Sequence, residues 1–156
     1  MNNFLNTHFY STKDTPPKSI ARLLKNLGPP STTDKVLQEL KSTSNASLLW
    51  SLQTEYRALQ FLILQGYQLL YSRKVIFKTE IDLILMSPEK NLVLVEVKSM
   101  ANDWSMVGRV SPSQQKRLER CRTLCENRYN ILTELLYVFV FKDEIILLPA
   151  PTLRLR

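Results

Sequence analysis

Apolar residues change their spacing several times along this chain, and each change marks an element. Between Ala46 and Gly66, Leu48, Leu52, Leu59 and Leu62 recur at the spacing of one helix face, and Gly66 is a natural stop for that helix. Three runs of strand character follow, Tyr67 to Arg73, Lys78 to Met86 and Leu92 to Lys98, the last two joined by the turn-like Ser87-Pro88-Glu89-Lys90-Asn91. A polar loop runs from Ser99 to Val110. Ser111-Pro112 then opens a helix to about Tyr129, and two further strands, Leu135 to Phe141 and Glu144 to Leu148, complete the pattern. Helix, three strands, helix, two strands predicts a small α/β layer in which a mixed sheet is flanked by helices.

The stretch up to about Asn45 is different, being rich in Ser, Thr, Asn and Pro and broken at Pro16-Pro17 and Gly28-Pro29-Pro30. It reads as a polar N-terminal arm with two short helices, residues 1–45, ahead of a main domain at residues 46–156. In the first of these helices Ile20, Leu23, Leu24 and Leu27 form an apolar stripe opposite Lys18, Arg22 and Lys25. Such a stripe either docks on a partner or packs on its parent domain with its lysines in water, and packing is the commoner fate.

Against this apolar background a few charged residues stand where a dry core is expected. Period-two alternation puts Glu80, Asp82 and Ile84 on one side of their strand and Ile81, Leu83 and Leu85 on the other. Glu96 and Lys98 share a side of the next strand, opposite Val93, Val95 and Val97. Glu55 lies in the core-facing stripe of the long helix, where an unpaired carboxylate is costly to desolvate without a cation, hydrogen bonds or a cleft to compensate it. If the two strands are neighbours, Asp82 and Glu96 bring carboxylate oxygens within reach of one hard divalent cation, with Lys98 beside it. Phosphodiester hydrolysis calls for this set: a metal that neutralises phosphate charge and acidifies water, and a cation that stabilises the transition state. Glu80 has two readings, as a further carboxylate of the cleft or as a surface partner for Lys78 or Arg73.

Glu55 with Ala58, Gly66-Tyr67, the run Glu80-Ile81-Asp82-Leu83-Ile84 and Val95-Glu96-Val97-Lys98, in that order, resemble the YraN-like family of small bacterial proteins, itself similar to archaeal Holliday-junction resolvases. A lone Glu-x-Lys in a strand is usually a solvated edge; the ordered set is much rarer. The resemblance covers roughly Glu55 to Leu118, extends loosely to the C-terminal strands and leaves the arm outside. It implies a restriction-endonuclease-like PD-(D/E)xK core. In that core Asp82 and Glu96 are the metal ligands, Lys98 the catalytic lysine, and Glu55 the helix carboxylate that ligates metal or orients its water. The implied cofactor is Mg2+, with Mn2+ able to substitute. Within Val110-Ser111-Pro112-Ser113-Gln114-Gln115-Lys116, Gln115 matches a polar residue facing the active centre, where an amide hydrogen-bonds phosphate or water. Three departures lower the expected affinity or activity: Thr79 replaces a usual glycine, Met100 a common basic residue and Gln114 a usual lysine.

The implied activity is metal-dependent hydrolysis of DNA, with branched DNA among the substrates and a homodimer expected because a four-way junction has two symmetric cuts. The alternative is a non-catalytic module that binds nucleic acid or a protein on the same nuclease fold.

Composition agrees without deciding the matter. A chain of 156 residues with 44% apolar content is long enough for one proper core. Its formal charge of +7 suits polyanionic partners. Lys116, Arg117 and Arg120 cluster at helical spacing as candidate phosphate contacts, or form a solvated face that Glu119 partly offsets. Cys121 and Cys125, with His8 the only histidine, cannot make a conventional four-ligand zinc site. The longest apolar run, Leu135 to Phe141, falls far short of the roughly 18 residues a membrane span needs, and the start lacks a signal peptide's layout, so a soluble cytoplasmic protein is expected. Trp104, in the polar loop, either stacks on an unpaired base or plugs the edge of the core, the commoner role.

Overall fold

The computed structural model describes residues 15–101 and 109–150. Four helices, α1 (Lys18–Leu27), α2 (Thr33–Ser42), α3 (Ala46–Leu64) and α4 (Pro112–Tyr129), surround one sheet. Its strands are β1 (Gln68–Ile76), β2 (Thr79–Met86), β3 (Leu92–Ser99), β4 (Thr133–Val140) and β5 (Ile145–Pro149), lying side by side in chain order. All neighbours are antiparallel except β3 and β4. A parallel pair cannot be closed by a hairpin, and α4 supplies the crossover it needs. The expected mixed α/β layer is therefore present, with each element within a few residues of where its spacing put it.

Local chemistry sets the joints. Asn45 caps α3 through its side chain, which accepts from the Leu48 N–H. At the other end Gly66 adopts φ +94°, and a β-carbon there would meet Pro88 Cγ at 3.1 Å, so the helix stop requires glycine for both conformation and space. Ser111 caps α4 by accepting from the Gln114 N–H, Pro112 takes the first turn, and left-handed Asn130 ends the helix. Phe77 and Lys78, both with positive φ, turn β1 tightly into β2, with Ile76 and Thr79 facing each other across the hairpin.

Both faces of the sheet are covered. One carries α3, where Ala58, Leu59 and Leu62 pack with Leu83, Leu85, Val93, Val95, Leu136 and Val138. The other carries α4, where Leu118, Cys121 and Cys125 join Ile84, Leu94, Tyr137 and Phe139. Both cysteines are buried, unbridged thiols, and the Cys121 contact together with burial pushes the Cys125 thiol up.

The segment read as an arm is built into this core over its described part. Ile20, Leu23 and Leu24 of α1 are buried in the α4-side cluster, and Val36 of α2 in the α3-side cluster. Between them the chain crosses the outer edge of β1: the Ser31 N–H donates to Leu70 O, the Ser72 N–H to Ser31 Oγ, and the Tyr71 hydroxyl to Gly28 O. That crossing caps an edge strand which would otherwise offer open backbone groups. Burying each of the three α1 side chains stabilises the fold by about 1.5–3 kcal/mol.

Candidate active site

The ladder between β2 and β3 runs from Met86–Leu92 to Leu83–Val95 and stops there, although β3 stays paired with β4 as far as Ser99. Past that point the strands separate, and a side chain replaces the missing backbone acceptor, with the Val97 N–H donating to Asp82 Oδ2 at 2.8 Å. Strict alternation also fails here. Ile81 packs in the α4-side cluster together with Ile84, while Leu83 and Leu85 pack on the α3 side. The two-sided division expected for Ile81, Leu83 and Leu85 thus breaks at Asp82, because a strand released from its neighbour is free to twist.

On the other side of β2, Ser72 pairs with Leu83 and Lys74 with Ile81, which brackets Arg73 opposite Asp82. Arg73 has φ 49°, left-handed backbone that a residue with a β-carbon seldom adopts inside a strand. Its guanidinium lies between two acids, Nη1 3.8 Å from Glu55 Oε1 on α3 and Nη2 3.8 Å from Glu80 Oε1. Glu80 is thus placed as Arg73's partner on a side chain that is about half exposed, one of the two roles expected for it.

Charge accumulates at this opening. Burial, reinforced by the field of Asp82, pushes the Glu55 carboxyl up to about 8, against the pull of Arg73. Asp82 is pushed up to about 7 by burial and then by Glu96, against the Val97 hydrogen bond, Lys98 and Arg73. Asp82 is the link between the other two acids, since Glu96 is not among the charges that move Glu55. Glu96 is buried, and its Oε1 is held by two groups, Lys98 Nζ at 3.0 Å and Gln114 Nε2, which donates at 2.6 Å. Glu96, Lys98 and Gln114 are thus in contact, Arg73 joins Glu55 to Glu80, and Asp82 lies within electrostatic reach of both groups.

The amide in this cluster is Gln114. Gln115, which the family resemblance puts there, makes no hydrogen bond to Glu96. Counting back from buried Leu118 and Cys121 along α4, position 114 falls on the inward stripe, one and two turns before them. Lys116, Arg117 and Arg120 are exposed on α4. Met100 is buried in the α4-side core, so a basic side chain at that position would have no water to reach. Trp104 lies outside the described residues.

Arg73 is not recognisable as a site residue in the sequence, because only the strand register puts it opposite Asp82. Nor is Trp50, a large exposed aromatic whose indole N–H donates to Ser99 Oγ at 3.1 Å, just past Lys98.

The donor set suits magnesium chemically. Among the described residues no three His, Cys, Asp or Glu side chains gather closely enough to hold a metal. Magnesium, however, is usually held by one or two carboxylates with water and substrate phosphate completing its shell, and Asp82 and Glu96 provide that number.

A five-stranded mixed sheet between helices, with acids and a lysine where its central strands part, defines a small α/β protein. The chain belongs to Uncharacterised protein family UPF0102, the YraN-like family, whose model matches residues 54–133. Among solved structures it is similar to a repair endonuclease from Pyrococcus abyssi, at 16% identity and a TM-score of 0.41. That match covers 58% of this chain and 39% of the endonuclease chain. No curated protein matches the sequence. Among the described residues no helix is long and apolar enough to cross a membrane.

Proposed function

We propose that this chain is a metal-dependent nuclease that hydrolyses DNA phosphodiester bonds, branched DNA included. One observation carries the reading: at the strand opening the Val97 N–H holds Asp82 and Lys98 and Gln114 hold Glu96, so two carboxylates and an ammonium stand on neighbouring strands where their ladder stops. Such a site favours a divalent cation. Asp82 and Glu96 would hold magnesium or manganese, which when bound neutralises phosphate charge and acidifies water.

The chain's own residues do the rest. Lys98 puts an ammonium beside the reacting phosphate, where charge grows in the transition state. Gln114 fixes the rotamer of Glu96, and the Val97 N–H fixes that of Asp82, so both carboxylates are preorganised. Glu55 stands behind Asp82 as the helix carboxylate, and Arg73 balances Glu55 and Glu80. The exposed Lys116, Arg117 and Arg120 supply phosphate contacts, so affinity for DNA should fall as salt rises.

A second reading has its own observation. Glu96 Oε1 is already occupied by Gln114 and Lys98, as in a nuclease fold retained for binding alone. The test compares wild type, Asp82→Asn and Lys98→Ala, purified identically, on single-stranded, duplex and four-way-junction DNA with magnesium or manganese. A nuclease predicts cutting by wild type and a loss of about a hundredfold or more in both variants, which stay folded. Equal cutting by all three proteins would mean a contaminant and sink the site. No cutting by wild type, with no magnesium binding by calorimetry, would leave the binder.

A further inference from the structure

Trp50 is out of place for a core residue. It lies on the same stripe of α3 as Thr54, Ala58 and Leu62, which are 7%, 0% and 0% exposed, yet it is 62% exposed. The indole is nevertheless not loose, because its N–H is tied to Ser99 Oγ at 3.1 Å. On the same residue Arg109 Nη2 donates to the Ser99 carbonyl oxygen at 3.0 Å, so an exposed arginine and the indole are both tied to the last residue of β3. Ser99 follows Lys98 directly. A held aromatic surface and an arginine therefore stand at the end of β3 that carries Lys98, with the indole on the α3 side of the sheet and the Lys98 side chain, bonded to Glu96, on the other.

We propose that Trp50, with Arg109, is a platform for an unpaired base of the DNA strand being acted on, which makes strands with unstacked nucleotides the preferred substrate over continuous duplex. The inference rests on the proposed nuclease reading and specifies its substrate class. Bases inside a duplex already stack on each other and offer no free face, whereas a single strand, a flap or a junction does. The ring's one polar group is satisfied by Ser99, so base stacking would cost no hydrogen bond, and Arg109 provides charge for the adjoining phosphate.

The experiment measures binding without metal, so that nothing is cut. Fluorescence anisotropy in EDTA compares wild type, Trp50→Ala and Trp50→Phe on a labelled single strand and on a blunt duplex. Because the position is exposed, circular dichroism and melting of both variants should match wild type. Trp50→Ala should weaken single-strand binding about tenfold, equivalent to about 1.4 kcal/mol, and duplex binding less than about twofold. Trp50→Phe, which keeps a ring, should retain most of the single-strand affinity. Equal losses on the two DNA forms, or no loss on either, would overturn the platform. The parent reading is judged separately, by cutting in magnesium: a protein that never cuts but shows the Trp50-dependent preference loses the enzyme and keeps the platform.

Discussion

The two ends of the β2–β3 hairpin are made from the same pair of strands and do opposite things. Near the turn, Leu83, Ile84, Leu85 and Met86 face Val95, Leu94, Val93 and Leu92 in unbroken register, and all eight are buried. Beyond Leu83 the ladder ends, Asp82 captures the Val97 N–H, and Glu55, Glu96, Lys98 and Arg73 gather round. Backbone pairing makes one end dry and stable. Where pairing stops, the freed backbone group needs a side-chain partner, and room opens for charges that a closed sheet would exclude. A site on this fold is thus a place where the sheet gives up local stability.

The largest expected effect tests that contrast directly. Leu94 is fully buried at the paired end, and Leu94→Ala should cost about 2–5 kcal/mol by removing packed atoms and leaving a cavity. Asp82→Asn, at the open end, keeps an acceptor for the Val97 N–H and removes a desolvated charge, so stability should hold or rise. Urea unfolding of both variants provides the measurement. A loss at Asp82→Asn as large as that at Leu94→Ala would show that the open end is also structural, and the comparison would fail.

Most of the paired end is legible in the sequence, and the open end only in part. Runs such as Leu92–Val95 and the stripe Leu52, Leu59 and Leu62 carry their periodicity locally, so element types and order follow from spacing. Asp82, Glu96 and Lys98 are visible as charges breaking that spacing. The register is not visible, and it decides where the ladder stops. That is why alternation puts Ile81 on the wrong side and passes over Arg73. The phase of α4, set by Ser111 and Pro112, likewise decides between Gln114 and Gln115, a difference of one residue that composition cannot resolve. The docking of α1 depends on contacts with α4 and β1 far away in the chain, so its prolines look like the marks of an arm.

A smaller effect should appear with pH. Asp82 is raised from 3.8 to about 7 and Glu55 from 4.5 to about 8, both mainly by burial. Between about pH 4 and pH 8 the folded protein therefore holds protons that the unfolded chain has released. Stability is fully present below the unfolded values and is lost as pH rises through the folded ones. The two losses should not simply add, because the acids share Arg73 and each other's field. Melting temperature of the metal-free protein should fall from pH 5 to pH 8. Leu94→Ala should shift that curve downward without changing its slope, and Asp82→Asn should flatten it. Parallel curves for Asp82→Asn and wild type would place the titrating groups elsewhere. Magnesium should restore more stability at pH 8 than at pH 5, since it binds the ionised folded form.

The smallest effect separates two neighbouring glutamines. Gln114 Nε2 donates to Glu96 Oε1 at 2.6 Å, whereas Gln115 makes no hydrogen bond to that carboxylate. Both lie in the first turn of α4 and both are half-buried, so truncating either removes a similar amount of surface and should change stability little. Their effects on the site should differ. Without Gln114, Glu96 keeps, among the described residues, only the flexible Lys98 ammonium as a partner, and its carboxylate can turn away from Asp82. Losing an outer hydrogen bond to a metal-binding side chain typically costs about 10–100-fold in metal affinity or activity, and the lower end is expected here because Lys98 remains. Gln114→Ala should therefore weaken magnesium binding about tenfold by calorimetry, and Gln115→Ala should stay within about twofold of wild type. The reverse result would restore Gln115 as the amide of the site. Equal, negligible effects would mean that Lys98 alone holds Glu96, and that the open end is organised by its charges with no help from α4.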